Sequence, residues 1–155
     1  MTFTRFFHLI SYIQYPLVAI GIYFAFTPYI QGLDHMAKNL DLFFASINKT
    51  LLFFGLGVSF STFQDTTKTQ NKLSKKVWES PQKGKAFIIF LCISISLLFF
   101  MAIYGYFITS NSKIKEISLG TFVLGIGMMG LLKSGVEMFE NHRKDKNPDN
   151  SGNLK

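Results

Sequence analysis

Four long apolar blocks make up most of this chain and restrict what it can fold into. They lie at 6–29, 43–63, 86–108 and 117–139, and polar residues separate them. A helix needs about 20 apolar residues to cross the hydrocarbon core of a bilayer, and each block approaches or exceeds that length. The sequence therefore predicts four membrane spans rather than the mixed core of a globular domain.

The four blocks are expected to be helices rather than strands. Inside lipid, a helix pairs all of its backbone polar groups within itself. Strands of a membrane barrel would be segments of about ten residues that alternate apolar and polar side chains, and runs such as FIIFLCISISLLFF do not alternate. The predicted fold is an all-α integral membrane protein, with a four-transmembrane-helix bundle over 1–139. The polar remainder, 140–155, is predicted to be a disordered tail.

The first half of the chain carries two patterns at helical spacing. Semi-polar side chains share one face of the first span and are expected to face protein: His8, Tyr12, Tyr15, Ala19, Tyr23 and Phe26. Between the first two spans, apolar residues recur at i, i+3, i+4 and i+7 from Leu33 to Ile47. This second pattern predicts a short amphipathic helix, which lies at the outer interface or extends the second span outward.

The longest polar interruption, 64–85, separates the second and third blocks. Its lysines are Lys68, Lys72, Lys75, Lys76, Lys83 and Lys85. Leu73, Val77 and Trp78 lie on one side of a possible short helix, which Pro81 should end because the residue before a proline avoids the helical region. The alternative is a solvated, flexible loop. We expect the lysines and Trp78 to contact anionic lipid, where each nearby lysine contributes about 1 kcal/mol, or a partner complex.

Lysine and arginine are unevenly distributed between the two sides of the predicted membrane. Arg5, the loop lysines and the basic residues of the tail lie on one side, whereas Lys38, Lys113 and Lys115 lie on the other. Basic residues that flank membrane spans concentrate on the cytoplasmic side. Both termini and the basic loop are therefore predicted to be cytoplasmic, and the expected location is a bacterial inner membrane. Most of the formal charge of +7 flanks membrane segments, so lipid is expected as a partner and nucleic acid is not.

Small residues recur on two of the predicted spans at the spacing that lets helix backbones approach closely. On the second span they are Gly55, Gly57, Ser59 and Ser61, and on the fourth they are Gly120, Gly127 and Ser134. We expect these residues to form helix-packing surfaces.

Residues that could support catalysis or hold a metal are scattered along the sequence. The predicted topology places His35 on the opposite side from His8 and His142, and Cys92 has no second cysteine to pair with. Acidic residues occur only in loops, in the tail and at helix ends, and no phosphate-binding loop or nucleophile elbow is present. The sequence therefore predicts no enzyme, no metal and no cofactor.

Two functions fit these features. The first is a small non-catalytic interaction or assembly subunit, whose basic loop contacts anionic lipid or a partner complex. The alternative is a homo-oligomeric channel or small transporter, with a path lined by the first, second and fourth helices. Asn48 and Lys49 are the candidate path residues, although Lys49 is close enough to the helix end to extend towards the outer headgroups.

Overall fold

The computed structural model describes residues 3–30, 32, 40–67 and 72–147, and over these residues it is helical and contains no strand. The helices are α1 (Phe3–Ser11), α2 (Gln14–Ile30), α3 (Leu40–Ser61), α4 (Lys72–Trp78), α5 (Pro81–Ile108) and α6 (Ser112–His142). Four segments are long and apolar enough, by length and composition, to cross a membrane: α1 with α2, then α3, α5 and α6. The all-helical prediction is confirmed for the described residues. Of the predicted outer helix, residues 33–39 lie outside the described part of the chain, and residues 40–47 belong to α3.

The helices extend beyond the apolar blocks because polar residues cap them. At the start of α5, Pro81 occupies the first turn, where a proline costs no hydrogen bond, and the Ser80 side chain accepts a hydrogen bond from the Lys83 N–H. At the start of α6, the Asn111 side chain accepts one from the Lys113 N–H at 2.9 Å. The helix predicted within the basic loop is present as α4, and it ends before Pro81 as expected.

The first candidate span is interrupted between α1 and α2. The Ser11 hydroxyl is fully buried and donates a hydrogen bond to the His8 carbonyl oxygen at 2.7 Å. Pro16 follows in the first turn of α2, where its missing N–H is tolerated. Pro16 therefore lies just after the interruption, and a second proline, Pro28, lies inside the last turn of α2.

The long helices pack in the spatial order α2, α3, α6, α5. In the described part of the chain, α2 and α5 share no comparable interface, so α3 and α6 are the two central helices. Long helices that follow one another along the chain run in opposite directions, so α3 and α6, which are neighbours in space but not in sequence, run parallel. Lys113 at the start of α6 forms an ion pair with Asp41 at the start of α3, with a nitrogen–oxygen distance of 3.4 Å.

The interface between α3 and α6 is built from small residues. A Cβ atom on Gly55 would lie 2.8 Å from the Leu124 backbone, and one on Gly127 would overlap the Gly55 carbonyl oxygen. Further along, the Ser134 hydroxyl donates to the Thr62 carbonyl oxygen at 3.2 Å. Larger side chains at these positions would push the two helices apart.

Glycines also form the two outer interfaces. Between α2 and α3, a Cβ on Gly57 would lie 2.9 Å from a Val18 methyl group, and one on Gly21 would lie 2.7 Å from the Phe54 ring. Between α5 and α6, a Cβ on Gly84 would overlap the Phe139 ring. Each long helix is thus held to its neighbour by at least one close contact at a glycine.

The semi-polar face of the first span is exposed within the single chain. Tyr12, Tyr15, Tyr23 and Phe26 have between 50% and 61% of their surface accessible, and His8 and Ala19 are also exposed. The prediction that this face contacts protein is therefore wrong for the monomer. α3 packs instead against the face of α2 that carries Gly21.

Candidate functional site

One end of the molecule carries an ordered, lysine-rich unit, which we call the cap. It consists of residues 72–85, from the start of α4 to the first turn of α5, together with residues 139–147 at the end of α6. The cap lies at the end where α3 finishes, because the Asn141 side chain donates a hydrogen bond to the Thr66 carbonyl oxygen at 3.5 Å.

Trp78 fastens α4 to the long helices. It is only 8% exposed, and its ring meets the Phe87 ring edge-on with centroids 5.4 Å apart. Gly135 leaves room for it, since a Cβ there would lie 3.3 Å from the indole. The structure therefore places Trp78 among protein side chains rather than on the surface predicted to meet lipid or a partner.

Glu79 connects the two parts of the cap. Its carboxylate pairs with the Lys144 ammonium at 3.0 Å and with Lys75 at 3.7 Å, and its backbone carbonyl accepts a hydrogen bond from the Lys144 N–H at 3.2 Å. The hydrogen bond from Lys144 is the main reason why the pKa of the Glu79 carboxyl is lowered below its ordinary value of 4.5. A single carboxylate thus positions two lysines from different parts of the chain.

The end of α6 makes several charged contacts. The Arg143 guanidinium lies 5.0 Å from the centre of the Phe139 ring, and it pairs with Asp145 at 2.6 Å and with Glu140 at 3.1 Å. The hydrogen bond from Arg143 lowers the pKa of the Asp145 carboxyl. Residues 140–147 make these charged contacts, and residues 148–155 lie outside the described part of the chain; the disordered tail over 140–155 stays a prediction.

Five lysines line a surface cleft of about 360 Å³ in the cap. Its lining residues are Lys72, Lys75, Lys76, Glu79, Ser80, Lys83 and Lys144. Four of these lysines are among those predicted to contact lipid or a partner. Lys85 is exposed outside the cleft, and Lys68 lies outside the described residues. The lipid or partner contacts predicted from the sequence do not include Lys144, because its position in the polar tail gives no indication that it folds back onto Glu79.

The predicted packing residues lie mainly where helices meet. Besides Gly55, Gly57, Gly127 and Ser134, a Cβ on Gly120 would overlap the Asn48 side chain, and the Ser59 hydroxyl lies 3.1 Å from where a Cβ on Gly127 would be. Ser61 instead donates a hydrogen bond to the Val58 carbonyl oxygen in its own helix.

The two candidate path residues point to different neighbours. Asn48 faces Gly120 on α6, and its carboxamide oxygen is buried with no hydrogen-bond partner among the described residues. Lys49 is exposed, and its ammonium lies 5.0 Å from the centre of the Phe24 ring on α2. Within the single chain, the two side chains thus face different helices, Asn48 facing α6 and Lys49 facing α2.

Among the described residues, no three His, Cys, Asp or Glu side chains come together as a metal-binding group. Comparison of the chain with protein-family models, with curated proteins and with solved structures gives no match. The cap and its cleft therefore have to be interpreted from their own geometry.

Proposed function

We propose that this chain is a multi-pass integral membrane protein whose four long helical segments cross the bilayer as one bundle. Support comes from the extent of apolar surface left uncovered: between 11% and 22% of the residues in the most apolar stretch of each segment are buried. Phe100 and Phe107 on α5 are 67% and 77% exposed. Monomeric soluble proteins rarely expose apolar patches larger than a few hundred Å², so lipid is the environment that suits these faces.

In the proposed orientation the cap is cytoplasmic, and the membrane is the inner membrane of a bacterium. The cap gathers lysines from two distant parts of the chain, whereas Lys113 and Lys115 stand at the opposite end of α6. Arg5 belongs to the cap end as well, because Phe7 on the same helix lies 5.5 Å from Phe63 at the end of α3. This distribution agrees with the preference of basic residues for the cytoplasmic side.

The function we propose is that of a non-catalytic interaction or assembly subunit, which uses the cap to engage anionic lipid or a partner complex. The observation that carries this proposal is the anchoring of the cap: Trp78 is buried against the long helices, and Glu79 pairs with Lys144. A mobile loop would lose conformational entropy when it binds, whereas Trp78 and Glu79 already hold α4 and Lys144 in place. The cap is therefore preorganised as a basic surface.

Purification of the tagged protein in mild detergent, followed by mass analysis of co-eluting subunits, tests this function. We expect a stoichiometric foreign subunit or firmly bound anionic lipid with the wild type, and its loss from the variant Lys72→Gln/Lys76→Gln/Lys83→Gln. The control Lys113→Gln/Lys115→Gln removes charge from the opposite end and should retain the bound component. A discrete homo-oligomer that retains neither would instead support the channel or transporter alternative.

A further inference from the structure

The cleft in the cap holds more positive charge than its own acidic group can balance. Five lysine ammonium groups and one glutamate carboxylate line it, which leaves a formal charge of +4. Glu79 pairs with Lys75 and Lys144, and no carboxylate in the described part of the chain pairs with the other three lysines, Lys72, Lys76 and Lys83. Like charges that are held close together repel one another, so an anion that enters the cleft would relieve this repulsion.

Lysine is the only basic residue type in this lining. A carboxylate is best recognised by the planar fork of an arginine, and Arg143 is engaged by Asp145 and Glu140 outside the cleft. Lysines act as compact point charges with three donors each, which suits the several oxygens of a phosphate group. The cleft is an open surface depression of about 360 Å³, which is large enough to admit a phosphate group.

We infer that the cleft is a binding site for a phosphate group carrying at least two negative charges, such as a phosphate monoester or a diphosphate. This inference rests on the proposed function and deepens it, because it names the chemistry that the cap recognises. Such a group occurs in lipid headgroups and in water-soluble compounds. The position of the cleft favours a headgroup, because Lys83 precedes the apolar part of α5 by less than one turn, and Leu73 beside Lys72 is 77% exposed.

The full-length protein in phosphatidylcholine nanodiscs, with pyrophosphate as the probe, provides the test. We expect saturable binding to the wild type. Lys83→Gln should weaken it about fivefold, the factor that corresponds to about 1 kcal/mol for one lysine at an anionic surface. Lys83→Arg should restore most of the affinity. Lys85→Gln is the matched control, since Lys85 is exposed on the same turn of α5 but outside the cleft lining, and it should leave the affinity unchanged.

The lipid composition of the nanodisc separates the two sources of phosphate. Phosphatidic acid, a monoester, should compete with pyrophosphate, whereas phosphatidylglycerol, a diester, should not, and Leu73→Ser should weaken only the competition by lipid. Pyrophosphate binding without competition from phosphatidic acid would assign the site to a soluble phosphate. Absence of pyrophosphate binding, or equal weakening by Lys83→Gln and Lys85→Gln, would overturn the inference. If the protein retained both anionic lipids but did not bind pyrophosphate, the inferred phosphate site in the cleft would be wrong, whereas the proposed contact between the cap and anionic lipid would still stand.

Discussion

Gly55 on α3 and Gly127 on α6 meet backbone to backbone, so that a Cβ atom on Gly127 would overlap the carbonyl oxygen of Gly55. The atom in the way is part of a helix backbone and cannot rotate aside as a side chain can. The two central helices therefore depend on the absence of a side chain at this point, which makes their interface sensitive to a single added methyl group.

The first prediction concerns this contact. Gly127→Ala should lower the free energy of unfolding by about 1–3 kcal/mol, the usual cost of overpacking, because α3 and α6 must separate to admit the methyl group. Gly125→Ala is the matched control on the same helix: its Cβ would lie 3.2 Å from the Phe99 ring, which can shift. Thermal unfolding in mild detergent measures both variants. Equal destabilisation would show that the glycine contact is not a special feature of the interface.

The sequence could predict the close contacts of α3 and α6 because their physical requirement is local. Backbones approach where a small residue recurs on one helix face, and that recurrence is visible at Gly55, Gly120 and Gly127. The cap could not be predicted in the same way. Leu73 and Trp78 were placed on one side of α4 by spacing, yet Leu73 is 77% exposed and Trp78 only 8%. Packing against distant parts of the chain decides which of these two side chains is buried.

Charge pattern alone likewise could not place Lys144. Its ion pair with Glu79 depends on where the end of α6 meets the start of α5, and no spacing rule relates those two positions. The semi-polar face of Tyr15 and Tyr23 predicts a protein contact, but both side chains are exposed in the single chain. Instead, α3 packs closely against the face of α2 that carries Gly21.

The second prediction uses Trp78, the only tryptophan of the chain, as a reporter of the cap. The lowered pKa of Glu79 means that its carboxylate contributes stability that is fully present above pH 4.5 and is lost as the pH falls through the folded-state pKa. Acid titration should therefore shift the Trp78 emission to longer wavelength below pH 4.5 as the pair with Lys144 is lost.

Two variants check the origin of that transition. Glu79→Gln should abolish it, because the amide cannot be protonated over this range. Glu137→Gln should leave it unchanged. Glu137 pairs with Lys133 at 3.5 Å on the exposed surface of α6, away from Trp78. An acid transition that survives Glu79→Gln would assign the pH sensitivity to another group.

The third prediction concerns the orientation of the chain. Reporter fusions after Phe63 and at the C-terminus should both report the cytoplasm, and a fusion within the turn at 109–111 should report the opposite side. Replacement of the cap lysines by glutamine should weaken this preference, because lysine rather than net charge sets it. A cytoplasmic signal from the fusion at 109–111 would mean that α5 and α6 do not both cross the bilayer.

The fourth prediction concerns Asn48. Its carboxamide oxygen is buried against Gly120 without a partner among the described residues, and such a group costs about 1–3 kcal/mol relative to a satisfied one. Asn48→Ala should therefore unfold at the same or a higher temperature than the wild type, despite the lost side-chain volume. Asn48→Asp, which buries a charge at the same place, should unfold at a clearly lower temperature. Strong destabilisation by Asn48→Ala would contradict this prediction and show that the side chain contributes more by packing or hydrogen bonding than its unpaired oxygen costs.

The last prediction separates the proposed subunit from the channel or transporter, and it uses Lys49. The side chain is exposed with its ammonium over the Phe24 ring, a contact that positions the charge without requiring a water-filled path. Lys49→Arg should therefore be silent, because arginine makes the same contact. Lys49→Leu should still fold, since loss of a charge within a span relieves an insertion cost of at most about 3 kcal/mol. Neither the wild type nor these variants should conduct ions in reconstituted vesicles. The opposite result would be ion-selective flux through the wild type that shifts towards cations in Lys49→Glu. It would show that the charge lines a path, and it would favour the channel over the interaction subunit as the function.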